Sequence, residues 1–143
     1  MGEAYNTFRI MNMNHISPAT QISELFQSIS PLPRIQILQV LGEGEACVCH
    51  LETALGLRQA YLSQHLMALR QAGVVVSRRE GRNVFYRLAN RDLLRLIQQA
   101  GRLLGLADAE LLGVNATQTL TACPCPHCGE KEMAFIPEAS VAV

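Results

Sequence analysis

The sequence predicts a mainly α-helical domain with one small β-hairpin, built to pair with a second copy of itself. Three observations lead there. Apolar residues recur at helical spacing from Thr20 to Ala72 and again from Asn90 to Leu104. Between these stretches the period shortens to that of a strand, a turn and a returning strand. Arginine is concentrated in the same middle third of the chain. With 143 residues, 49% apolar and 17% charged, the chain suits one domain with a buried core plus short terminal segments, and disorder of its bulk is excluded.

The elements follow in order. Residues 1–17 are polar, rich in Met and Asn and unpatterned, so a flexible N-terminal arm is expected there. Ile22, Leu25, Phe26 and Ile29 give a first helix one apolar face, which stops at Ser30-Pro31. Pro31 and Pro33 can start a second helix, Arg34–Leu41, closed by Gly42-Glu43-Gly44. A third helix, Cys47–Leu55, turns Val48, Leu51 and Leu55 inward and ends at Gly56. A fourth, Arg58–Ala72, packs Leu62, Leu66 and Leu69 and ends at Gly73.

Val74–Arg79 and Val84–Leu88 are the strands of the hairpin, joined by the turn Glu80-Gly81-Arg82-Asn83. From an N-cap at Asn90, Leu93, Leu94, Ile97, Ala100, Leu103 and Leu104 mark a long amphipathic helix whose apolar face a small domain cannot cover alone; a dimer interface is its natural use. Asp108–Leu112 adds one turn before a polar linker and a Cys-rich tail. The expected organisation is therefore an arm over 1–17, a folded and dimerising body over 18–106, and a linker with a Cys-rich tail over 107–143.

The formal net charge of zero hides an asymmetry. Residues 1–56, 57–102 and 103–143 carry −3, +7 and −4, and the middle block is basic through nine arginines. Such a block is a candidate phosphate-contacting surface. Two short helices split by Gly56 and followed by a two-stranded hairpin match a winged helix-turn-helix. On the fourth helix Gln59, Tyr61, Ser63, Gln64 and Arg70 are free of packing, with His65 close to that face. Gln pairs with adenine edges and Arg with guanine, so this face suits a major groove of double-stranded DNA. Arg78, Arg79 and Arg82 on the hairpin are placed to hold phosphates or enter a minor groove.

No apolar run approaches the ~20 residues of a membrane span, and the N-terminus shows no secretory or transit pattern, so a cytoplasmic protein without a membrane partner is expected. No Gly-rich phosphate loop, Ser/His/Asp arrangement or paired acids support catalysis, so an enzyme is not expected. Cysteines fall in two groups, Cys47/Cys49 and Cys123/Cys125/Cys128, a pattern suited to metal or redox chemistry rather than to structural disulfides. Cys47 and Cys49 open a helix, where free N–H groups favour thiolate. Residues two apart in a regular helix point to nearly opposite sides, so one ion held by both sulfurs would have to distort that turn and tilt the helix that follows. His50 and His127 are expected to be exposed and structural.

The stretch Glu45-Ala46-Cys47-Val48-Cys49-His50-Leu51 is close to an E-L-C-V-C-D-L box. Tyr61–Val75 contains the pattern S-x-H-L-x-x-L-x-x-A-G-V-V, and Arg79–Tyr86 is close to the form R-x-G-x-x-x-Y, with one residue more before Tyr86. In these motifs the chain resembles the ArsR/SmtB winged-helix repressors, which sense metals or metalloids, over about Ile22–Leu104. The resemblance implies a homodimer paired through its first and last long helices, bound to an inverted-repeat operator and released by its inducer.

The chain departs from the best-known sites of that family. Glu52 stands where the arsenite box has its third Cys, the arm offers only His15, and the last helix has Asn90, Asp92, Leu103 and Leu106 near the positions of the zinc ligands. Missing ligands can come from the tail, where Cys125-Pro126-His127-Cys128-Gly129 has the form of a zinc knuckle. Cys47, Cys49, Cys123, Cys125 and Cys128 are thus the candidate ligands of a thiophilic ion. Arsenite is the first expectation for the inducer, with cadmium, lead or zinc as alternatives. A repressor of the same fold that senses thiol oxidation or reactive sulfur is the other reading, and a metal-buffering protein without DNA is disfavoured by the +7 block.

Overall fold

The computed structural model describes residues 16–111. The remainder of the expected arm, with His15, and the tail bearing Cys123, Cys125, His127 and Cys128 lie outside the described residues. Among the described residues six helices and three strands follow one another: α1 (Pro18–Ile29), α2 (Leu32–Leu41), β1 (Glu45–Cys47), α3 (Val48–Leu55), α4 (Gln59–Gln71), β2 (Val75–Glu80), β3 (Asn83–Leu88), α5 (Asp92–Leu103) and α6 (Asp108–Leu111). This is the helix-rich architecture with a hairpin wing that the sequence implies.

Local chemistry sets the helix ends. The Ser17 hydroxyl accepts from Thr20 N at 3.2 Å and caps α1, whose first residue is Pro18. At α5 the cap position is Arg91 rather than the expected Asn90, although the Asn90 Oδ1 accepts from Asp92 N, the first helical residue, at 2.8 Å. Gly56 closes α3 with φ +64°, a left-handed conformation that a side chain would strain. Gly81 does the same at the hairpin tip, with φ +58°.

The structure departs from the expected pattern at β1. Glu45–Cys47 is not the first turn of the third helix but a short strand, antiparallel to β3, which makes a three-stranded sheet of order β1-β3-β2. The physical reason is the second edge of β3, which offers unpaired backbone donors and acceptors to the chain leaving α2. Three residues are too few to show a period of two, so this strand has no sequence signature.

The core joins α2, α3, α4 and the base of the hairpin. Ile37, Leu38, Leu51, Leu62 and Leu69 are fully buried, with Leu66, Val74 and Val75 beside them. Ile29 of α1 joins this core and Leu25 packs against it, whereas Ile22 and Phe26 of α1 and the leucines at the end of α5 stay outside it. Ile22 is 53% exposed, Phe26 48%, Leu103 89% and Leu104 79%, so two helices present apolar side chains to solvent. α6 folds back on α5, with Leu111 packed over Gly101, and the Gln39 side-chain amide donates to the Leu111 carbonyl at 3.3 Å.

Leu51 joins α3 to the core with no exposed surface. Leu51→Ala is expected to cost about 2–5 kcal/mol, whereas Met67→Ala, on an exposed site, changes stability by less than about 0.5 kcal/mol. Urea unfolding at one fixed protein concentration checks both.

Candidate nucleic-acid interface and dithiol centre

α3 and α4 form the helix-turn-helix. Burial of Leu62, Leu66 and Leu69 on one side of α4 leaves Gln59, Tyr61, Ser63, Gln64 and Arg70 exposed on the other, where the sequence places a reading face. Met67, 56% exposed, joins that surface. It is missed by pattern reasoning because a Met beside Leu66 looks like core, and only its offset of one residue from the buried stripe betrays it.

His65 differs from its neighbours. The Arg34 Nε donates to its Nδ1 at 3.4 Å, Arg34 Nη1 donates to the Ser28 carbonyl at 2.8 Å, and the Tyr61 ring meets the imidazole edge-on with centroids 4.6 Å apart. The half-buried His65 therefore faces α2 and ties α4 to the end of α1, rather than lying on the outer face. Burial, and then the Arg34 charge, hold its pKa below the ordinary imidazole value.

On the wing, Arg79 and Arg82 are exposed, and Gly81 makes the turn between them. Arg78, expected to share their role, is engaged elsewhere. Its Nε donates to the Glu45 carboxylate at 3.1 and 2.9 Å, Nη2 also meets Glu45, and Nη1 donates to Glu80 at 2.8 Å. The guanidinium lies 4.6 Å from the Phe85 ring centroid. Its hydrogen bonds to Glu45 and then Glu80 raise its pKa, so it is a fixed charge already matched by carboxylates.

Cys47 ends β1 and caps α3, accepting from His50 N at 3.3 Å, and only 2% of it is exposed. Its extended backbone, φ −76° and ψ 164°, swings the sulfur over the first turn of the helix, where a disulfide joins it to Cys49 across a Cα separation of 5.4 Å. This corrects the expectation of two sulfurs diverging along one helix: because Cys47 is a cap, they converge with the helix intact. His50, expected to be exposed, is buried at 3%.

In reduced form the pair would offer two adjacent sulfurs to a soft ion. Among the described residues no group of three or more His, Cys, Asp or Glu is arranged to hold a metal, so a fuller shell needs ligands beyond them.

A family profile described as "Bacterial regulatory protein, arsR family" matches residues 33–77. The chain is 41% identical over 80 residues to the biofilm growth-associated repressor of Agrobacterium fabrum, a match covering 56% of this chain and 68% of that protein. The chain belongs to the ArsR family. As an ArsR-family member it is a transcriptional repressor rather than an enzyme.

The same ArsR-family chain is 51% identical over 51 residues to the arsenic resistance transcriptional regulator ArsR1 of Pseudomonas putida, which covers 36% of this chain and 40% of that one. Its fold is similar to the homodimeric winged helix-turn-helix DNA-binding domain Mb0332 of Mycobacterium bovis. The TM-score is 0.56 at 31% identity, with 65% of this chain and 91% of that domain covered. Among the described residues no helix is long and apolar enough to cross a membrane.

The His65 contact makes stability depend on pH. Because the folded state holds this imidazole below its ordinary pKa, the unfolded chain takes up a proton more readily. Stability is therefore expected to be complete above the ordinary imidazole range and to fall as pH drops through it. His65→Asn, which keeps an acceptor but not the titration, should lose this component, as urea midpoints at pH 7.5 and 5.5 would show.

Proposed function

We propose that this repressor binds an inverted-repeat operator as a homodimer and that its operator affinity is set by the oxidation state of the Cys47/Cys49 dithiol. The observation that carries the reading is the disulfide at the seam between the wing sheet and the helix-turn-helix. Cys47 belongs to both. It pairs with Phe85 of β3 through its backbone and caps α3 through its sulfur. A chemical change there acts on the wing and, through α3 packed on α4, on the reading helix.

The step is balanced with a two-electron oxidant such as hydrogen peroxide. Two thiols lose two electrons and two protons, an S–S bond forms, and peroxide leaves as two waters. The Cys47 sulfur accepts from the His50 amide at the cap, and once reduced, a thiolate there would complement the N-terminal end of the helix dipole. Oxidation makes the capping sulfur one end of a disulfide, which still accepts from the His50 amide, and ties the end of β1 to the first turn of α3. The dithiol form is the one that binds DNA, and the disulfide form is released.

Bases are read by Gln59, Tyr61, Ser63, Gln64 and Arg70, and phosphates are held by Arg79 and Arg82. Two copies pair through α1 and α5, whose exposed Ile22, Phe26, Leu103 and Leu104 supply the apolar surface. The body that does this comprises 18–106 together with α6, which packs back on α5; the arm precedes it and the Cys-rich tail follows it.

The likeness to an arsenic resistance regulator favours a second input to the same sulfurs. Trivalent arsenic takes three thiolates, so Cys47 and Cys49 would be joined by one of Cys123, Cys125 and Cys128; cadmium, lead or zinc would draw on more of them.

Fluorescence anisotropy with an inverted repeat from the promoter upstream of its own gene separates the inputs. Reduced protein should bind and peroxide should release it, with Cys49→Ser binding regardless of peroxide. Release by arsenite under strictly reducing conditions, without response to peroxide, assigns the second input instead. Binding by reduced protein that neither agent reverses refutes both.

A further inference from the structure

The strand order β1-β3-β2 sets Cys47, Phe85 and Arg78 in one row across the sheet, because Phe85 is the register partner of both others. Directly opposed residues of antiparallel strands project to one face, so the Phe85 ring has Cys47 on one flank and Arg78 on the other. Glu45 lies two residues before Cys47 on β1 and projects to that same face. Its carboxylate reaches across β3 to the Arg78 fork, which Glu80 holds from the other side. β1 is thus joined to β2 at both of its ends, through a ring at Cys47 and through an ion pair at Glu45.

Exposed ion pairs contribute little to stability, and Arg78 is 45% exposed, so the value of this one is geometric. A bidentate fork fixes direction as well as distance. It holds the guanidinium over the sheet, and Arg79 is the next residue along the same strand.

We infer that Glu45 and Arg78 are positioning residues for operator binding: they carry a displacement of β1 at Cys47 to the wing and so aim Arg79 and Arg82. The inference rests on the dithiol reading given above. It assigns Arg78 a role distinct from the phosphate contact its sequence position suggests.

The test uses the full chain in its dithiol and disulfide states, titrated against the operator at several salt concentrations. The two wild-type states are expected to differ in affinity by about 5–150-fold, the usual range of coupling between sites. Arg78→Gln and Glu45→Gln should each bring that ratio close to one, and the double variant should change it no further, since both act through one link. Arg78→Lys keeps the charge but not the fork and should also lose the ratio. The dependence of affinity on salt in the dithiol state should stay at its wild-type slope, because every phosphate-holding cation is still present.

A phosphate-holding Arg78 gives the opposite pattern. Arg78→Gln then weakens both states alike, lowers the salt slope by about one for each phosphate it had neutralised and leaves the ratio intact; this overturns the inference. If the wild-type states do not differ, the dithiol reading fails and the relay fails with it. If they differ and all three single variants keep the full ratio, the relay alone is refuted.

Discussion

Three backbone pairings, Glu45 with Arg87, Ala46 with Tyr86 and Cys47 with Phe85, hold the chain extended where the sequence points to helix. Because Cys47 is extended, α3 begins at Val48, and the Cys47 sulfur caps it instead of projecting from its side. Because it caps, it lies against Cys49. Because the same strand carries Glu45, the wing has an ionic partner outside its own hairpin. Remove the pairing, and the thiols diverge, the sheet loses a strand and Arg78 loses Glu45.

Long-period features were readable from the sequence. The leucines of α4, the glycines that close α3 and shape the wing tip, and the arginine-rich block all act through local spacing or composition, which a linear pattern records. What escaped was tertiary. β1 exists only because β3 has an open edge, so three residues with no periodicity of their own become strand. His65 sits one position from the outer face, and Arg34, 31 residues earlier in the chain, decides which way it turns. Arg78 looks identical to Arg79 in a sequence, and only the return of Glu45 to the sheet separates a clamped cation from an exposed one. The tail cysteines are legible as chemistry but not as geometry.

Arg34 shows how few groups are needed to join the parts. One guanidinium donates to the Ser28 carbonyl near the end of α1 and to the His65 imidazole on α4. The helix with the exposed apolar stripe and the helix with the exposed polar face therefore share a rigid side chain. Their relative placement does not rest on apolar packing alone, which constrains distance better than direction.

The clamped state of Arg78 bears on how a repressor finds its site. Hold on arbitrary DNA grows with the number of phosphates engaged, whereas contacts to base edges are made only at the right sequence. On the proposed reading, a wing in which one of the three candidate cations Arg78, Arg79 and Arg82 is already matched by carboxylates would give up part of the first kind of hold and none of the second. On a chromosome offering on the order of a million or more competing sites, occupancy follows the ratio of the two. On the proposed reading, withholding one cation from the backbone would shorten each stay at a wrong address and so sharpen the search.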